Sequence, residues 1–146
     1  MKNAFLRHTL ATILYRFKKS LSTTESNFGT FNVGSEARTP NTIINHMYEV
    51  LCYARTLITT DQYDAPSIKS LTTITDKAEL FNTELAKIDA LLTHKTLSFD
   101  EAKPLIQGPF SDILTHIGQL SMMSRLHGNP ISGEDFSTAS IITGIS

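Results

Sequence analysis

Between Leu71 and Leu92, apolar side chains fall at Leu71, Ile74, Ala78, Phe81, Leu85, Ile88 and Leu92, in alternating steps of three and four. That alternation keeps one stripe of a helix turned toward a partner and is the period of a left-handed bundle seam. Nowhere does the chain sustain the two-residue alternation of a half-buried strand. The pattern predicts an all-α protein, with one long helix over about residues 67–92.

Three other segments carry the same period. The first runs over about residues 3–21, with Leu6, Leu10, Ile13, Leu14 and Phe17 on one side. Thr39 and Pro40 open the second as N-cap and first helical residue, and it continues to about Thr59. Its apolar arc holds Ile43, Ile44, Met47, Val50, Leu51, Ala54, Leu57 and Ile58, which leaves Tyr48 and Cys52 on the polar side. Residues 61–66 form the break before the next helix. Ser98-Phe99-Asp100-Glu101 is a capping box that starts a short helical turn. Pro109 is expected to restart the chain as the last long helix, which Gly128-Asn129-Pro130 ends. At 146 residues this amounts to one domain, a four-helix bundle spanning residues 1–146. The loop over 22–38 is long for a bundle and is expected to cover a site. The tail from Ile131 onward is expected to pack across the bundle.

Charge and composition exclude several function classes. A formal net charge of −1 with 18% charged residues offers no nucleic-acid surface, and Lys18-Lys19 alone is too small a basic patch. No apolar run approaches the roughly 18 residues needed to span a bilayer. The basic start "MKNAFLRHTLATILYRFKKSL" has Arg7 and His8 inside its apolar run and no small-residue cleavage site, so it reads as an amphipathic helix. A single cysteine, Cys52, forms no internal disulfide and suits a reducing cytoplasm; on the polar arc it reads as a structural or interface residue. The chain has no nucleophile elbow, no phosphate-cradling glycine loop and no CxxC.

Chemistry concentrates in the last long helix. Asp112, His116, Gln119 and Met123 form one stripe, directly beside the arc of Phe110, Ile113, Leu114, Ile117 and Leu120. In the second helix His46 lies at the border of the apolar arc, next to Val50 and Leu57. A carboxylate at a core edge is costly without a neutralising partner. Two readings of Asp112, His116 and His46 stand on spacing alone. One is a local Asp–His ion pair plus a satisfied core-edge histidine. The other is a divalent metal held by all three, two ligands from one helix and the third from a facing helix. Two imidazoles and a carboxylate suit zinc, nickel or iron with positions left open.

The stretch "THIGQLSMMSRLHGNP", residues 115–130, resembles the fourth-helix signature of the DinB-like superfamily: a histidine before x-Gly-Gln, an apolar run, an arginine and a glycine turn. "RTPNTIINHMYEVLCYA" looks like that family's second helix with its single metal-binding histidine. Helix order and lengths agree over about the whole chain. The resemblance implies an up-down-down-up bundle, usually dimeric, with three metal ligands. Carried over by position, His46 and His116 match two of them. Asp112 stands where the family usually has another histidine, which leaves the metal's identity open. Similar enzymes include thiol-dependent S-transferases and maleylpyruvate isomerases, so the resemblance implies a small-molecule substrate and a low-molecular-weight thiol. The competing expectation, from a different class, is a non-catalytic dimeric binding or stress-related protein that keeps a vestigial metal pocket.

Other residues receive plainer expectations. His8, His94 and His127 lack partners at ligand spacing and read as solvated or capping residues, His127 also complementing the helix dipole. Gln119 either orients His116 or bonds backbone. Met122 and Met123 read as packing residues, with Met123 a candidate pocket wall, and Tyr53 as within reach of a ligand. Met122, Leu126, Tyr48 and Cys52, all outside the main arcs, are expected to form an isologous homodimer contact.

Overall fold

Thr39, Thr73 and Ser98 each open a helix by accepting a backbone N–H with the side-chain oxygen, from Thr42, Asp76 and Glu101 respectively. At Ser98 the box closes reciprocally, because the Glu101 carboxylate accepts the Ser98 N–H at 2.8 Å. The computed structural model describes residues 1–65 and 68–145. Its helices are α1 (Ala4–Ser20), α2 (Pro40–Thr59), α3 (Ile74–His94), α4 (Phe99–Leu105) and α5 (Ser111–Leu126). Among the described residues there is no strand, and no helix is long and apolar enough to cross a membrane. The all-helical, bundle-like expectation stands.

Two helix boundaries differ from expectation. Pro66 and Ser67, where the break was to end and the third helix to begin, lie outside the described residues. The helix itself starts only at Ile74, after a single 3-10 turn over Ile68–Ser70. Lys77 explains the delay: its ammonium bonds the Ile68 carbonyl at 2.9 Å and Asn45 of α2 at 2.6 Å, which holds the turn beneath the first turn of α3. The second difference is at Gly108-Pro109, which does not break the chain. A π turn over Ile106–Phe110 carries α4 directly into α5. Pro109 has no N–H to give the regular ladder, and the wider turn absorbs that loss. The Ser111 hydroxyl bonds the Ile106 carbonyl across it.

One apolar core joins the helices. Phe17 of α1 meets Phe81 of α3 at a ring separation of 4.6 Å, and Leu51, Leu85, Phe110 and Leu120 are fully buried around them. Each such side chain contributes about 1.5–3 kcal/mol by leaving water. α2 packs on both α3 and α5, and α1 packs on the same two helices. Polar contacts mark which ends meet. Arg7 of α1 binds Asp89 of α3 through two bonds of 2.9 and 2.8 Å, and Ser124 of α5 bonds the Ser20 carbonyl of α1 at 3.0 Å.

The wheel placed Tyr48 and Cys52 on the polar side of α2; both are buried, at 3% and 0% exposure. The buried face of α2 is turned away from Val50 and Leu57, which are only partly covered. On that side Arg55 of α2 pairs with Glu84 of α3, a buried carboxylate, so the α2–α3 seam is partly polar. Hydrophobicity along α2 cannot register a polar seam whose other half is on α3.

Beyond the helices, the loop buries Phe28, and the tail docks along α1 as expected. Glu134 meets Tyr15 and Lys19, and Phe136 lies 3.9 Å under the Arg16 guanidinium.

Candidate metal centre

The π turn leads directly into α5 and places Asp112 two residues into that helix. His116 follows one turn later and is 8% exposed. Facing it across the α2–α5 seam is His46, about two turns into a helix whose start Thr39 and Pro40 define. The Asp112 Oδ2 lies 3.3 Å from His46 Nε2 and 3.5 Å from His116 Nδ1. The two imidazole rings stand 4.8 Å apart, tilted at 52°. One ligating atom from each of the three residues lies within 4.8 Å of the others. The fold therefore brings together all three residues singled out in the sequence.

This donor set fits a divalent ion. Ligand atoms about 2.1 Å from a tetrahedral ion stand about 3.4 Å apart, close to the His46–Asp112 separation. His116 is also prepared at its other nitrogen, with Nδ1 2.7 Å from the Asp112 carbonyl oxygen. Donation of that N–H fixes the tautomer and leaves the Nε2 lone pair for a ligand. Gln119 takes no part in this: it is exposed, and the orienting bond comes from the backbone.

Two depressions meet at the cluster. Beside His116 runs a groove of about 680 Å³ lined by Ile43, Met122, Met123, Leu126, Val33 and Arg38. The loop thus contributes to its wall, as expected of residues 22–38, and so does Met123. Beside His46 lies a shallower depression of about 330 Å³ with Glu49, Val50, Tyr53 and Tyr63. Tyr53 is where the helical wheel put it. Burial, reinforced by the charge of Glu49, holds the Tyr63 phenol above its usual range.

Compared with known proteins, the chain matches no family model, no curated protein and no solved structure. The site is legible only through its own chemistry. Its other histidines stay outside it. His8 bonds Thr143 at 2.8 Å, His94 is exposed at the end of α3, and His127 ends α5 with its ring against Phe28 and Phe31. Cys52 belongs to the buried α2–α3 seam instead. Burial first, then the charge of Glu84, pushes its thiol up.

Sequence reasoning missed Arg38 and Tyr63. Arg38 directly precedes the Thr39-Pro40 helix start, so its position at a helix mouth was readable. Tyr63 follows the end of α2, and only the tertiary fold returns it to His46.

Proposed function

We propose that this chain is a divalent-metal-dependent enzyme of DinB-like architecture, acting on a small molecule with a low-molecular-weight thiol as partner. The convergence of His46, Asp112 and His116 across two helices is the observation that carries this reading. Contacts between helix ends support an up-down-down-up order. Arg7 near the start of α1 meets Asp89 near the end of α3, while Ser20 and Ser124 join the two C-terminal ends of α1 and α5. Asn45 and Lys77 join the two N-terminal halves of α2 and α3.

In this reading His46, Asp112 and His116 hold the ion. When bound, a zinc-, nickel- or iron-type ion lowers the pKa of a thiol or water in an open position and so supplies a nucleophile at neutral pH. The protein's own residues do the rest. The Asp112 carbonyl orients His116, and the groove wall offers apolar surface on one side. Tyr53 and Glu49 offer polar groups on the other. A reducing compartment such as the cytoplasm suits the lone cysteine. Subunit pairing is proposed through Met122 and Leu126, each 58% exposed, with Tyr48 and Cys52 removed from that surface.

Metal analysis of tag-free protein after zinc, nickel, iron and manganese supplementation tests the proposal. About one equivalent is expected in the wild type, with loss in His46→Ala and His116→Ala. Less than about a tenth of an equivalent in the wild type overturns it.

A second reading has its own observation. Asp112 Oδ2 already lies near a ring nitrogen of each imidazole, so ring N–H groups satisfy the carboxylate with no ion. That favours a non-catalytic binding or stress-related protein with a vestigial pocket. Asp112→His separates the two. A sharp gain in metal affinity over a wild type that holds almost none supports the vestigial pocket, whereas tight wild-type binding removes it.

A further inference from the structure

The groove beside His116 has a floor and a rim of one character. Ile43, Met123 and His116 are buried beneath it, while Val33, Met122 and Leu126 stand 43%, 58% and 58% exposed around it. Its volume of about 680 Å³ lies within the roughly 300–1,000 Å³ range of small-molecule sites. Arg38 brings a permanent charge to this wall, and no acidic residue lines it. Among the described residues Arg38 has no carboxylate partner, in contrast to Arg7 and Arg55, which are each paired.

The backbone holds Arg38 in place from both sides. Gly34, Ser35 and Glu36 adopt φ of +89°, +48° and +62°, a left-handed turn that the Ala37 N–H closes on the Gly34 carbonyl at 3.1 Å. The Asn32 side chain accepts the Gly34 N–H at 2.7 Å and anchors that turn. Immediately beyond Arg38, Thr39 caps α2. Ser35 and Glu36 are conformations that L residues rarely keep without surrounding support. Together, the turn and the cap fix the backbone on either side of a guanidinium at the mouth of an apolar groove.

We propose that this groove binds an amphipathic monocarboxylate, the carboxylate on Arg38 and the apolar body against Val33, Met122, Met123 and Leu126. The planar guanidinium fork matches a carboxylate through two parallel bonds. Arg38 is the permanently charged side chain on this wall, so in the metal-free protein it balances one negative charge and leaves a dianionic phosphate half-neutralised. A cationic ligand finds no acidic partner on this wall. The assignment names the substrate class for the metal enzyme and rests on that reading for the reaction, though not for binding. Met122 and Leu126 are each 58% exposed while lining the groove, so a subunit contact over their outer sides leaves the groove open; a second copy that fills the groove itself is the competing occupant.

Calorimetric titration of chelator-stripped protein with 5-phenylpentanoate and with its carboxamide is the test, because stripping prevents the carboxylate from engaging a metal. The carboxylate is expected to bind at least tenfold more tightly. Arg38→Gln should erase that preference without changing amide binding, and Arg38→Lys, which keeps the charge and loses the fork, should fall between. Equal affinity for the two probes overturns the assignment, as does an unaffected Arg38→Gln protein or no binding of either probe at millimolar concentration. Carboxylate binding that disappears as light scattering shows the chain to pair assigns the groove to the second copy and also overturns it. Metal analysis of the same preparations before stripping, after zinc, nickel, iron and manganese supplementation, keeps the two proposals apart. No metal with the preference intact removes the metal reading alone; bound metal without the preference removes this one alone.

Discussion

Nδ1 of His116 lies 2.7 Å from the backbone carbonyl oxygen of Asp112, one turn earlier in α5. The residue that presents the candidate carboxylate thus also orients the neighbouring imidazole, through an atom that side-chain substitution does not remove. Asp112→Ala is therefore expected to remove one ligand and leave the other aligned. Metal affinity should fall at least about 100-fold, the upper end of what loss of an outer hydrogen-bond partner costs. Nitrogen NMR should still find the proton on Nδ1 of His116. Unchanged metal affinity would show that Asp112 is no ligand.

Arg55 and Glu84 form the other consequential pair. Glu84 is 1% exposed, and its bond to Arg55 holds the arginine's pKa above its usual value. Removing the cation leaves a buried carboxylate whose other ion-pair partner among the described residues is Lys87, 3.8 Å away. Arg55→Ala should cost about 3 kcal/mol, the low end for a broken buried pair because Arg55 is itself partly exposed. Urea unfolding measures this, and a loss under about 1 kcal/mol would mean that water or Lys87 compensates.

Cys52 should be chemically silent in the folded protein. It is fully buried, and burial together with the Glu84 charge disfavours its thiolate. An aromatic disulfide reagent should modify the native protein only at the rate of unfolding, while the urea-unfolded chain reacts at once. Rapid modification of native protein would place the thiol at a surface.

Lys77 gives stability a definite pH dependence. Burial lowers its pKa in the folded state, so the unfolded chain binds more protons between the folded value and the ordinary one near 10.4. Its contribution therefore improves as pH rises through that window and levels off above it. Wild type should gain stability relative to Lys77→Met as pH rises toward the ordinary lysine value near 10.4. A flat or falling difference in denaturant titrations would contradict burial of the ammonium.

Pairing of subunits is expected to show as a mass of about twice 16.2 kDa in light scattering at low micromolar concentration. Met122→Ser with Leu126→Ser should return it to one chain. A wild-type mass of one chain means that both residues serve only the groove.

Much of this was local and hence legible in the sequence. Thr39-Pro40 and the Ser98–Glu101 box start helices through bonds reaching no farther than three residues, and both appear where expected. His46, Asp112 and His116 could each be placed at the apolar edge of its own helix, because that depends only on about 3.6 residues per turn. Gly108-Pro109 misled for the same local reason: as a dipeptide it signals a break, yet the packing of Phe110 and the Ser111 bond to Ile106 carry the helix through it.

What only the tertiary structure decided is which edge faces which. A helical wheel ranks the faces of one helix, but pairing between distant helices selects the face that is buried, and polar residues go inside when a partner arrives from elsewhere. Arg55 pairs with Glu84 on the side of α2 where Tyr48 and Cys52 are buried, and the Ile68 carbonyl and the Asn45 side-chain oxygen accept hydrogen bonds from the buried Lys77 ammonium. The same pairing of α2 with α5 turned three separate edge residues into one cluster and set Arg38 at the mouth of its groove. Sequence by itself determined the helices and the edge positions of the candidate ligands; their meeting required contacts between residues some 70 positions apart, which no local period encodes.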